Sequence, residues 1–117
     1  MNNLSTARRA ERAYAAASAT RSLRTQEAEV FARVIAALRL GARGSSADRV
    51  RALADTALLW SSVLDQVRDP ANQLPERLRA MIASIAMAVQ REVAMMQPNF
   101  DFLIEVNENI AAGLTDG

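Results

Sequence analysis

Residues 52–96 read ALADTALLWSSVLDQVR (52–68), DPANQLPE (69–76) and RLRAMIASIAMAVQREVAMM (77–96). The outer pieces carry apolar residues at helical spacing. The middle piece interrupts them at Asp69-Pro70 and Leu74-Pro75. So short a break makes the two helices fold back antiparallel, because each has an apolar stripe to bury. The expected hairpin covers about 47–68 and 75–97 and contains the only tryptophan, Trp60. The rest of the chain is expected to pack against it.

Composition supports helices throughout. Half of the 117 residues are apolar but only 4% are aromatic, so Ala, Leu, Ile, Val and Met must fill the interior. That mix suits closely packed helices better than sheets. The expected fold class is all-α: a compact bundle of four to five helices in one domain, 1–117, with 1–20 as an N-terminal helix able to move.

Working toward the N-terminus, Ser46 is the expected cap of the helix that carries Val50, Leu53, Ala57, Trp60, Leu64 and Val67. Leu58, Leu59 and Val63 widen its apolar surface beyond one stripe. Before it, residues 22–40 form a helix with Ser22 as cap, a face of Leu23, Glu27, Val30, Phe31, Val34, Ile35 and Leu38, and Gly41 as a left-handed stop. Residues 3–19 form a separate Ala-rich helix with a thin apolar face. Toward the C-terminus, Pro75 opens the second hairpin helix, whose inward stripe is Leu78, Ile82, Ile85, Val89, Val93 and Met96. Pro98 ends it. A last helix spans about 100–112, with stripe Leu103, Val106, Ile110 and Leu114 and Gly113 as its stop.

The chain has no Cys and no His, and all fourteen basic residues are Arg. Disulfides, zinc sites, thiolate nucleophiles, imidazole bases and Schiff-base lysines are therefore excluded. No acidic pair with supporting geometry stands out, so no catalytic, cofactor or metal residues are expected. No apolar run is long enough to span a bilayer, and the N-terminus lacks the apolar core of a signal peptide. A soluble, cytoplasmic protein without membrane contact is expected. The net charge of +1 is too balanced for a dedicated nucleic-acid binder. Its distribution is uneven: Arg8, Arg9, Arg12, Arg21 and Arg24 lie near one end, and Asp101, Glu105, Glu108 and Asp116 near the other. The two ends are expected to lie near each other.

Some residues do not fit a plain bundle. Glu27 interrupts an apolar stripe and calls for a partner, with Arg24 or an Arg of another helix as the structural option and a binding partner as the other. Asn107 makes the same exception and reads as a structural polar residue. Four of the five methionines lie in the second hairpin helix. Met81 and Met95 form a ridge with Ala88 between them, and Met87 points elsewhere; the ridge either packs on another helix or docks a varied apolar partner. Trp60 is a core residue or an interface anchor, and its indole N–H needs an acceptor if buried. The candidate partner-binding residues are Tyr14, Phe31, Leu59, Trp60, Val63, Met81, Met87 and Met95.

An ordered set of residues then carries a family resemblance. It comprises Ala13-Tyr14, Arg24 with Glu27 and Glu29 ahead of Val30-Phe31, Ala37-Leu38, Ala52-Leu53-Ala54-Asp55 and Leu59-Trp60-Ser61. It continues through Asn72, Leu74-Pro75, Leu78-Arg79-Ala80, Ile85, Leu103-Ile104-Glu105-Val106-Asn107, Ile110 and Gly113-Leu114. Over about residues 13–114 the chain resembles the FlaF family of flagellar-biosynthesis regulators of alphaproteobacteria. It departs from the family in a longer, Arg-rich start and in Arg21-Ser22-Leu23-Arg24, where the family has a Pro-containing helix entry. The resemblance implies a cytoplasmic helical protein that binds flagellin as a secretion chaperone and acts beside an FlbT-type regulator in controlling flagellin production.

A trough on the bundle that accepts an amphipathic helix would suit that role, with residues 3–19 as its cover when empty. The alternative is an RNA-binding translational regulator that uses the N-terminal Arg cluster. The two differ in salt response, which is steep for phosphate contacts and shallow for an apolar groove.

Overall fold

The computed structural model describes the backbone of residues 3–116 and the side chains of residues 6–11 and 27–114. It contains α1 (Asn3–Arg43), α2 (Ser46–Arg68), α3 (Glu76–Val93) and α4 (Phe100–Asp116). The described residues include no strand. Short connections make consecutive helices antiparallel. α2 packs on both α1 and α3, and α4 packs on α1, whereas α3 and α4 make little contact with each other.

α1 corrects the sequence reading. Residues 3–19 and 22–40 are not two helices but parts of one, and no helix starts at Ser22. The physical reason is the absence of any Pro or Gly between residues 3 and 40, together with an Ala-rich composition. A serine nucleates a cap only where the chain has already left the helical conformation. At about 1.5 Å per residue, 41 residues span roughly 60 Å. That accounts for most of the 68 Å length of the molecule.

Gly41 is not a left-handed stop either: no described glycine has a positive φ. It is buried inside α1, and a Cβ there would lie 3.0 Å from the Phe100 ring, 3.1 Å from Ala52 Cβ and 3.2 Å from the Asp48 carbonyl oxygen. Its role is close approach between helices. The cap of α2 is Ser45, one residue before the expected Ser46. The Asp48 N–H donates to Ser45 Oγ at 3.2 Å and the Ser45 N–H donates to Asp48 Oδ2 at 3.1 Å. Each side chain thus satisfies a donor that the helix start leaves open.

The inward line of α2 is Ala52, Thr56 and Trp60, continued by Val67. Val50, expected on the buried stripe, is exposed. Helices on two sides of α2 rotate its inward line toward the small residues, where Gly41 and Phe100 fit. Thr56 needs no outside partner, because its hydroxyl donates to the Ala52 carbonyl at 2.7 Å. The Arg49 guanidinium lies 4.8 Å from the Phe100 ring centroid and covers its outer side.

Trp60 joins three helices. Its ring meets Phe31 of α1 edge-on, with centroids 5.9 Å apart. Its Nε1–H donates to Asn107 Oδ1 of α4 at 2.9 Å, and Asn107 Nδ2 donates to the Leu103 carbonyl at 2.7 Å. Trp60 and Asn107 are both 0% exposed. Phe31, Val34, Leu38, Ala86, Val89, Phe100 and Leu103 complete the buried core.

α3 starts at Glu76 with Pro75 at the cap position, and it ends at Val93 rather than near residue 97. Pro98 is therefore not what stops it. Met95 donates to the Glu92 carbonyl at 3.1 Å, which tightens the last turn. The Glu92 carboxylate accepts from the Asn99 N–H at 3.0 Å, and Asn99 Oδ1 caps α4 by accepting from the Phe102 N–H at 3.0 Å. This turn leaves Met96, expected inward, fully exposed. At the other end of α4, Gly113 lies within the helix, which continues to Asp116.

The expected approach of the two charged ends rests largely on Arg12, Arg21 and Arg24, whose side chains lie outside the described residues. One described ion pair joins acidic α4 to the C-terminal half of α1, Glu108 to Arg39 at 3.0 Å. No helix among the described residues is long and apolar enough to cross a membrane.

Candidate partner-binding groove

The packing order α3–α2–α1–α4 leaves the bundle unclosed. α1 and α2 form a floor, α3 and α4 stand at its sides, and the two sides make little contact with each other. The short 94–99 turn joins them at one end. Toward the other, a groove of about 620 Å³ lies between them. Its base is built from Phe31 and Val34 of α1 and Val67 of α2, all buried, with Val30, Leu59 and Val63 half-buried beside them. Ile82 of α3 faces it from one side and Ile110 and Leu114 of α4 from the other. Leu58 stands at the edge with 74% of its surface exposed.

The hairpin loop closes one end, and hydrogen bonds hold its shape. Asp69 Oδ1 accepts from the Ala71 N–H at 2.9 Å, and the Asn72 N–H donates to the Asp69 carbonyl at 2.9 Å. Asn72 Nδ2 donates to the Gln66 carbonyl at 2.9 Å, while its Oδ1 accepts from the Leu74 N–H at 2.9 Å. Arg79 Nε then donates to the Leu74 carbonyl at 3.0 Å. Asn72 thus ties the end of α2 to Leu74 and fixes that leucine on the rim. Polar side chains lie around the apolar base: Glu27, Arg33, Asp55, Ser62 and Gln66.

The structure brings part of the sequence-derived candidate set together. Phe31, Leu59 and Val63 line the groove, and Trp60 lies beneath it in the core. Met81, Met87 and Met95 do not line it. All three are exposed, so the methionine ridge does not pack on another helix of the bundle. Met95 borders a smaller depression with Ala88, Arg91, Glu92 and Phe102. The side chains of Tyr14 and Arg24 lie outside the described residues. No described residue forms an ion pair with Glu27, which is half-buried in the groove lining. Residues 3–19 do not fold back as a separate cover: their backbone continues α1, and residues 6–11 are exposed.

Leu74, Ile82, Ile110 and Leu114 belong to the groove but read from sequence as loop or core. Leu74 carried a signal, as the one large apolar residue in a polar loop. The others did not, because a groove wall and a core stripe have the same helical spacing.

The described residues include no group of acidic side chains able to hold a metal ion. What the groove offers is apolar area in a fixed, elongated shape. α2 contributes from Asp55 to Val67, which at about 1.5 Å per residue is roughly 18 Å, or three turns of a docked helix.

No curated protein and no solved structure matches the chain. A family model does: that of the flagellar protein FlaF, over residues 10–114. The match takes in all of α2 and α3, the Asn72–Leu74 loop, Trp60 and Asn107, and it includes every residue that lines the groove. On that coverage, the chain belongs to the FlaF family of flagellar proteins.

Proposed function

We propose that this flagellar protein binds flagellin in the cytoplasm as a secretion chaperone, and that its groove receives an amphipathic helix of the client. Through that contact, and beside an FlbT-type regulator, it supports control of flagellin production. The action is binding alone, with no covalent step. The observation that carries this reading is the unclosed side of the bundle. Apolar side chains from all four helices face a slot about three turns long, and Leu58 stands exposed at its edge. An export client must keep its self-assembling helix covered until it leaves, and helix-in-groove docking does so with few anchors. A docked helix would bury area that the α3–α4 gap leaves wet, at roughly 25 cal/mol per Å² of apolar surface.

Titration calorimetry with purified flagellin, intact and lacking its terminal helices, tests the reading. Intact flagellin is expected to bind, and the truncated form to lose at least tenfold in affinity. Leu58→Asp is expected to weaken binding as much without lowering the melting temperature. Absence of binding to intact flagellin would refute the proposal. A steep loss of affinity with salt for an RNA, governed by the N-terminal arginines, would favour the translational alternative instead.

A further inference from the structure

We infer that Glu27 selects the groove's occupant: the docked helix carries a basic side chain among its apolar anchors, placed to meet this carboxylate. The inference rests on the groove being the flagellin site.

Three observations carry it. Glu27 lines the groove and is half-buried, one turn before Phe31 of the base. Among the described residues no hydrogen bond or ion pair reaches its carboxylate. The other charged residues of the lining, Arg33 and Asp55, are both exposed. The Phe31–Trp60 ring contact sets the register of α1 against α2. In that register Arg33 and Asp55 lie toward the Gly41 end, away from Glu27. Both can keep their water when a helix docks.

Glu27 cannot keep its water. In the empty groove its carboxylate is hydrated. A helix laid along the apolar base removes that water, and an unpaired ion left there opposes binding strongly. A cation on the incoming helix converts the penalty into a charge-assisted hydrogen bond. A helix with an acidic residue at that position is repelled and one with an apolar residue leaves the carboxylate stranded, so the same group discriminates between clients. Arg24, one turn earlier on α1, is the intramolecular competitor for Glu27 and belongs in the test.

The test is flagellin affinity for single variants of the full chain, with circular-dichroism melts as the folding control. Glu27→Gln is expected to weaken binding at least tenfold, equivalent to about 1.4 kcal/mol. Glu27→Arg is expected to abolish it. Asp65→Asn, at an exposed position of α2 outside the groove lining, and Arg24→Gln are expected to stay within about twofold of the parent, and all four variants to melt as the parent does. If Glu27→Gln binds normally while Leu58→Asp does not, the groove stands as the site and the role of Glu27 is wrong. If Arg24→Gln loses as much as Glu27→Gln, the carboxylate serves α1 and the inference falls. If Leu58→Asp also binds normally, the groove reading fails and this one with it.

Discussion

Replacing Asn107 by leucine removes the only described acceptor of the Trp60 indole N–H. The two groups are 2.9 Å apart, both side chains are 0% exposed, and water cannot substitute. A buried donor left without a partner costs about 1–3 kcal/mol. Trp60→Phe makes the complementary error, since Asn107 Oδ1 is then the orphan at a similar cost, with about 1 kcal/mol or more for the lost volume. In the double variant both polar groups are gone and neither penalty remains. The cycle is therefore expected to show a coupling of about 2 kcal/mol or more, because both penalties drop out together, the double variant being more stable than the sum of the singles predicts. A chain of 117 residues has a total stability of roughly 6–18 kcal/mol, so the effect is a sizeable part of the whole. Urea unfolding followed by far-ultraviolet circular dichroism measures it, since the phenylalanine variant has lost the fluorescent reporter. Each single variant is expected to move the midpoint by on the order of 1 M. Additivity within about 0.3–0.5 kcal/mol would show that the hydrogen bond does not couple the two helices and would refute the reasoning.

Two glycines make opposite predictions when a side chain is added. Gly41→Val is expected to destabilise by about 1–3 kcal/mol because the new side chain meets Phe100, Ala52 and the Asp48 carbonyl. Gly113→Ala is expected to stabilise by about 0.5–1 kcal/mol, since a Cβ there meets nothing within 4 Å and the position is helical. Thermal melts of the two variants separate a packing role from a conformational one. Ser45→Ala is expected to cost about 1 kcal/mol through loss of the cap, whereas Ser46→Ala is expected to stay within about 0.5 kcal/mol of the parent. Equal effects from the two serines would place the helix start elsewhere. Asn72→Ala is expected to leave α2 and α3 intact by circular dichroism and to raise amide exchange at Leu74, whose N–H donates to the Asn72 side chain.

The hairpin was legible because the signals are local. Pro70 and Pro75 stop and start helices through their own ring geometry, whatever packs nearby. The apolar spacing on either side is strong enough to survive errors of a residue or two at the ends. Trp60 and Asn107 were each legible as buried groups in need of a partner. Their pairing was not, because 47 residues separate them and spacing along a helix carries no record of what faces it.

Three misread helix boundaries share one cause. Ser22, Gly41 and Gly113 are residue types that end or begin helices when the chain is free to turn. Here the strong helix formers on either side carry the helix through them, and at Gly41 the missing Cβ admits Phe100 instead. The methionine ridge and the groove show the same limit. Met81 and Ile82 are neighbours in sequence on one amphipathic helix, yet Ile82 faces the groove and Met81 faces solvent. Periodicity names the apolar side of a helix from its own residues alone. Whether that side meets a neighbour or an open slot depends on the separation of α3 from α4, a distance set by contacts between residues far apart in the chain.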